Sequence, residues 1–297
     1  MKRIAPFFII LAGSLWGIMG GFIRVLSAYG FSSMQLTCLR SVITFVCLLI
    51  FLIIYDRQLL RIHMKDIWMF FGTGVCSIAF FSFCYFRAIE LTSLSTAVIL
   101  LYTSPIFVTI LSALIFHEKI TPQKMAALFL AFSGCLFITG VFQSSMHLTP
   151  VALSYGLGAG FGYSLYSIFG HFAVKAYHPF TITLYTFLFA GLVTLPLIHP
   201  IPLARLMIAS PGAVLPILLS GVVCGVFPYI FYTIGLTYVE TGKAAILASV
   251  EPVVATLVSV FYLKEKLTWT AALGICLVLT ALVLLNLKTN ITAKKPA

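Results

Sequence analysis

Two stretches of the chain decide its fold: Tyr85–Thr121, YFRAIELTSLSTAVILLYTSPIFVTILSALIFHEKIT, and Tyr232–Thr268, YTIGLTYVETGKAAILASVEPVVATLVSVFYLKEKLT. Laid on each other with a shift of 147 residues, they run without a gap. Tyr85, Ala97, Ile99, Leu100, Pro105, Thr109, Ser112, Glu118, Lys119 and Thr121 fall on Tyr232, Ala244, Ile246, Leu247, Pro252, Thr256, Ser259, Glu265, Lys266 and Thr268. Ten identities in 37 positions exceed what shared apolarity gives, because Pro, Glu, Lys and Tyr are scarce here. The chain is a duplicated unit.

Working outward, 61% of the 297 residues are apolar and 8% are charged, against about 45–50% and about 25% in ordinary soluble domains. That composition excludes a soluble globular protein and makes the solvent a bilayer. A span across a hydrocarbon layer of about 30 Å takes roughly 20 apolar residues. Apolar stretches near 5–27, 33–55, 67–88, 93–116, 122–142, 151–172, 180–198, 213–236, 243–263 and 268–287 predict ten transmembrane helices in an all-α fold. Thr121-Pro122 and Thr149-Pro150 fix two helix starts, each with a capping hydroxyl ahead of a proline that needs no amide partner. The stretch 180–198 has the weakest bounds, opened by Pro179 and closed early by Pro196. Lys2 and Arg3 before an apolar run resemble a signal peptide, but the run continues through Trp16 to Val25 at spanning length.

The net charge of +11 comes from 18 Lys and Arg against 7 acids. These bases are scattered through loops, not gathered in the patch that nucleic acid requires. Lys and Arg in short loops favour the cytoplasmic side. With the N-terminus inside, twelve lie inside (Lys2, Arg3, Arg57, Arg61, Lys65, Lys119, Lys124, Lys175, Lys243, Lys288, Lys294, Lys295) and five outside (Arg24, Arg87, Arg205, Lys264, Lys266), with Arg40 inside a span. Both termini are therefore expected in the cytoplasm. Each repeat holds five spans; five is odd, so the two repeats cross in opposite senses. That is the inverted-topology architecture of many secondary transporters. The repeats are expected at 5–142 and 151–287, with a short basic tail at 288–297.

The seven cysteines sit in apolar runs without metal or redox spacing, and the six histidines are dispersed. No metal and no cofactor is expected. A phosphate-binding glycine loop, paired intramembrane aspartates and a serine with a histidine partner are all missing from the sequence, which argues against an enzyme and against an ATP-driven pump.

Gly13–Gly17 (GSLWG), Arg40, the run Ser104-Pro105-Ile106-Phe107 leading to Glu118-Lys119-Ile120-Thr121, and its counterpart Glu251-Pro252-Val253-Val254 leading to Lys264-Glu265-Lys266-Leu267-Thr268 resemble the EamA family of the drug/metabolite transporter superfamily. The resemblance covers nearly the whole chain, about 7–140 and 153–286. It implies ten helices in inverted five-helix repeats, a central cavity lined by the first four helices of each, and the fifth and tenth helices set aside, at a subunit contact if the protein is a homodimer and not a monomer. It also implies export or exchange of amino acids and other small metabolites without ATP. One departure is visible: Gly162-Tyr163-Ser164 stands where the first repeat has Trp-Gly.

An ionisable group near mid-bilayer costs about 2.5–3.5 kcal/mol on insertion scales, so those present are candidates by default. Arg40 shares a helix face with Ser33, Thr37, Thr44 and Cys47; it either offers two donors to a substrate carboxylate or satisfies carbonyls or Glu251. Glu251, beside Pro252 on a face of Ala244, Ala248, Ala255 and Ser259, either braces the helix or binds a proton or a substrate amine. It is the proton-coupling candidate. Its repeat counterpart is Ser104, so the fold itself does not demand an acid. Trp16, Tyr85, Tyr102, Tyr163, Tyr166, Tyr229 and Tyr232 fall within spans, where polar ring atoms need partners; Tyr102 shares a face with Thr109 and is the preferred cavity residue. The substrate-binding set is Arg40, Tyr102, Glu251, Trp16, Tyr85, Tyr163 and Tyr232. Arg24, Arg87 and His171 read as interfacial, and Glu118 and Glu265 as turn residues that cap or pair with Lys119 and Lys266. The expected function is export of an amino acid or similar amphiphile across a bacterial inner membrane by alternating access. Import or exchange of an anionic metabolite is the alternative, and an enzyme acting on a lipid-linked substrate a more remote one.

Overall fold

The computed structural model describes residues 2–140, 149–198, 200–262 and 264–287. The expected tail at 288–297, residues 141 and 142 of the first repeat, and residue 263 of the ninth stretch lie outside the described residues. All regular elements among the described residues are helical. In chain order they are α1 (Ala5–Ala28), α2 (Ser33–Tyr55), α3 (Met64–Leu91), α4 (Leu94–Leu101), α5 (Ser104–Phe116), α6 (Pro122–Ile138) and α7 (Pro150–Ala173). Then come α8 (Pro179–Thr194, continued by a 3-10 turn through Ile198), α9 (Pro200–Ala209), α10 (Pro211–Leu236), α11 (Thr241–Ala248), α12 (Glu251–Phe261) and α13 (Trp269–Asn286).

Among the described residues, eight segments are long and apolar enough to cross a membrane: Ala5–Ala28, Ser33–Tyr55, Met64–Leu91, Leu94–Phe116, Pro179–Ile198, Pro211–Leu236, Thr241–Phe261 and Trp269–Asn286. α6, at 17 residues, is a shorter apolar helix. α7 has the length, at 24 residues, but Gly156, Gly158, Gly160, Gly162 and Gly170 with Tyr155, Tyr163 and Tyr166 dilute its apolar side chains. Length and composition therefore carry eight spans, two fewer than the sequence reading expects. α9 is a helix that reading did not contain.

Local chemistry sets the boundaries. Thr121, Thr149 and Thr268 each accept a backbone N–H three residues on, from Lys124 (3.1 Å), Ala152 (3.2 Å) and Ala271 (3.2 Å). Ser32 and Gln35 close a reciprocal capping box at the start of α2. The fourth and ninth stretches are not continuous helices. Each breaks after eight residues, at Tyr102-Thr103 and Ser249-Val250, and restarts with Ser104-Pro105 or Glu251-Pro252 in its first turn, where proline needs no amide partner. α3 and α10 each contain π-helical turns, at Gly72–Ala79 and Val222–Val226.

These features recur at the 147-residue shift: α4 and α11, the two breaks, α5 and α12, and α6 and α13 start in register. Packing recurs too. α1 packs on α10 and α12 of the other half, while α7 packs on α3 and α5 of the first. α2 packs on α8, and α6 on α13, where Gly134 and Gly274 abut backbone to backbone. Contacts that survive exchange of the halves are those of a two-fold arrangement.

Candidate binding site

The break in each broken helix is seated by a glycine of the other half's first helix. A Cβ on Gly13 would stand 2.8 Å from the Ala248 carbonyl oxygen, and one on Gly160 2.8 Å from that of Leu100. Gly13 and Gly160 are themselves a 147-residue pair. Only glycine permits this approach, which brings α1 and α7 to the middle of the molecule beside the breaks.

Between them lies a narrow cavity lined from both halves. α1 gives Trp16; α3 gives Ser77, Ile78 and Phe81; α5 gives Ser104 and Val108. α7 gives Tyr163, Tyr166 and Ser167; α10 gives Tyr229 and Tyr232; α11 gives Ala245 and Ala248. Trp16 stands edge-on to Tyr229 and Tyr163, centroids 5.1 and 6.2 Å away, and tilted 5.4 Å from Tyr232. Most phenols here are tied: Tyr166 Oη lies 2.9 Å from Thr233 Oγ1, Tyr232 Oη 2.7 Å from Ser167 Oγ, and Tyr163 donates to Glu251 Oε2 at 3.3 Å. Trp16 Nε1 is buried without a partner among the described residues.

Of the sequence-derived set, Trp16, Tyr163 and Tyr232 line the cavity, and Glu251 reaches its edge through Tyr163. Tyr85 stacks on Phe81, a lining residue. Tyr102 ends α4 at the break and packs on the central core without lining the cavity. Arg40 is buried on α2 beside Thr37, Ser41 and Thr44. One of its terminal nitrogens meets the Met19 sulfur, and its Nε has no partner among the described residues. Among the described residues no ion pair joins Arg40 to Glu251. Ser77, Phe81 and Ser167 were not singled out from sequence; nothing in their spacing marks them.

Glu118 and Glu265 do not pair with their neighbours Lys119 and Lys266. His117 (φ 55°) and Lys264 (φ 59°) turn the chain sharply in equivalent turns, so Glu118 meets Lys124 (3.3 Å) and the start of α11, and Glu265 meets Arg24 (2.6 Å). The two acids thus lie at opposite ends of the α11–α12 segment, since Glu265 follows α12. Burial would raise the Glu118 carboxyl, but the Gly242 and Thr241 amides, the Thr241 hydroxyl and the Lys124 ammonium outweigh it and hold the group below the ordinary carboxylate range.

The model of the EamA-like transporter family matches residues 3–140 and 150–287. An uncharacterized transporter of Archaeoglobus fulgidus is 30% identical over 67% of this chain and 70% of its own. Uncharacterized transporter YwfM of Bacillus subtilis is 24% identical over 96% and 94%. The threonine/homoserine exporter RhtA of Salmonella typhimurium is 24% identical over 72% and 68%. A crystal structure superposes with a TM-score of 0.78 at 15% identity, covering 96% of this chain and 97% of that one, which speaks for the fold.

Proposed function

The chain belongs to the EamA-like transporter family, and on that footing we propose that it is a secondary transporter exporting an amino acid or related amphiphilic solute across the bacterial inner membrane. Ten spans form two inverted repeats, 5–142 and 151–287, with both termini cytoplasmic. α6 and α7 complete the count, α7 by hiding its glycines and tyrosines against protein instead of lipid. The two halves rock about the cavity, exposing it alternately to each face.

The observation that carries this reading is the chemistry of the cavity. Two broken helices with prolines at their restarts meet there, as in carriers that bind substrate at discontinuous helices. Two buried donors, Trp16 Nε1 on its wall and Arg40 Nε on α2, lack acceptors among the described residues, while Glu251 accepts from Tyr163 at its edge. A buried unpaired donor costs about 1–3 kcal/mol. A zwitterion supplies what is missing, with its carboxylate on the Arg40 and Trp16 side and its ammonium toward Glu251. The likeness to a named threonine/homoserine exporter favours amino acids. Proteoliposomes loaded with a panel of labelled amino acids and metabolites, with and without a pH gradient, test the proposal. Saturable efflux of one or more zwitterions supports it; vesicles as tight as empty ones to the whole panel overturn it.

A further inference from the structure

One end of the bundle is locked by contacts that the other end lacks. Glu118 and Lys124 are 8% and 5% exposed. The Glu118 carboxylate accepts the Thr241 amide at 2.6 Å and the Gly242 amide at 3.0 Å. It thereby caps α11, whose own N-cap residue, Glu240, makes no side-chain cap. Lys124 Nζ lies 3.3 Å from Glu118 and 3.0 Å from Glu240. Beside them His171 Nδ1 lies 2.7 Å from Thr241 Oγ1, and its ring stacks at 3.9 Å on Phe116, over which the Lys175 ammonium also sits. Apart from the Glu118–Lys124 pair and the His171–Thr241 contact, these contacts run between the halves. Thr241 lies one turn before Ala245, which lines the cavity.

The backbone of the equivalent turn is the same, with a left-handed residue before each acid and a hydrogen bond from the Glu118 amide to the Ser112 carbonyl or from the Glu265 amide to the Ser259 carbonyl. The side chains are not. Ala271 stands where Lys124 does, α4 is capped by its own Ser93, and Glu265 pairs with Arg24 in a bridge more than half exposed. An exposed bridge contributes little, whereas a buried carboxylate held by two amides and an ammonium is costly to pull away.

We propose that Glu118, backed by Lys124, is the positioning residue that latches the cytoplasmic mouth through α11, so that the resting carrier is shut on that side and opens first on the other. This rests on the alternating-access reading, but the latch is testable without any substrate. The assay uses the full chain in oriented vesicles, with Ala245→Cys labelled by a membrane-impermeant maleimide from each side, the parent chain supplying the background of the native cysteines. In the Ala245→Cys chain the cytoplasmic side stays unreactive. Adding Glu118→Gln raises cytoplasmic labelling about tenfold, the worth of one lost charge-assisted bond, and lowers labelling from outside; Glu265→Gln changes neither beyond about twofold. Amide exchange over 241–248 rises in parallel. Labelling that rises from both sides marks mere loosening and overturns the latch. So does cytoplasmic reactivity already present without Glu118→Gln, or no change in either readout. If Glu118→Gln does not fold, Thr241→Pro removes the 2.6 Å donor at a first-turn position that tolerates proline, with the same outcomes expected. Absence of flux for every solute with the labelling pattern intact refutes the transport reading and leaves the latch standing.

Discussion

Replacing Trp16 by Phe separates packing from binding at the centre of the molecule. The indole is 7% exposed and is ringed by Tyr163, Tyr229 and Tyr232 at 5.1–6.2 Å, contacts that a phenyl ring largely keeps. The smaller ring leaves roughly 40 Å³ of void, which costs about 1 kcal/mol at about 24 cal/mol/Å³. Against this, the substitution deletes a buried N–H that has no acceptor, relieving about 1–3 kcal/mol. Stability should therefore be unchanged or rise by up to about 2 kcal/mol. Binding is a different matter: a donor that meets a substrate carboxylate is worth about 1.5–3 kcal/mol, so affinity should fall about 10- to 150-fold. Denaturation in nanodiscs gives the first number, and the substrate concentration dependence of flux in proteoliposomes gives the second. A loss of about 3 kcal/mol or more in stability with unchanged affinity would refute the reasoning and make Trp16 a packing residue only.

Glu251→Gln should leave substrate binding measurable while removing the pH dependence of flux; unchanged coupling to a pH gradient rejects the proton role. Arg40→Lys should weaken carboxylate-bearing substrates more than neutral analogues in competition assays, because the planar two-donor geometry is lost, and equal losses point to a structural arginine. Glu118 has a folded pKa below its ordinary 4.5, so its stabilisation is full above that value and disappears as pH falls through the lower folded value. Melting of the parent chain should decline below about pH 4.5 more steeply than that of Glu118→Gln, and parallel declines would contradict the assignment.

The repeat was legible because identities of scarce residues survive duplication: Pro105 with Pro252 and Glu118 with Glu265 mark equivalent restarts and turns. Helix starts were legible where one residue carries the whole signal, as at Thr121, Thr149 and Thr268. Arg40 and Glu251 stood out by the cost of charge in a span, and Trp16, Tyr163 and Tyr232 by their polar atoms at mid-span. The breaks at Tyr102-Thr103 and Ser249-Val250 were not legible, since apolar composition runs through both; what holds them open is a glycine distant in sequence, Gly160 or Gly13 of the other half. Tyr102 seemed the best cavity residue on a continuous helix, and the break redirects that face. The burial of Glu118 was equally hidden. Its partners are an ammonium on the next helix and two amides more than 120 residues on, whereas sequence offers only the adjacent Lys119.

Alternating access by this chain requires two copies of one unit set in opposite senses. The most direct measurement is the sidedness of their equivalent turns, read by impermeant thiol labelling of Lys119→Cys and Lys266→Cys, both at exposed positions, in intact cells and in inverted vesicles. Inversion predicts that Lys119→Cys reacts only in inverted vesicles and Lys266→Cys only in intact cells. Labelling of both from the same side would contradict it.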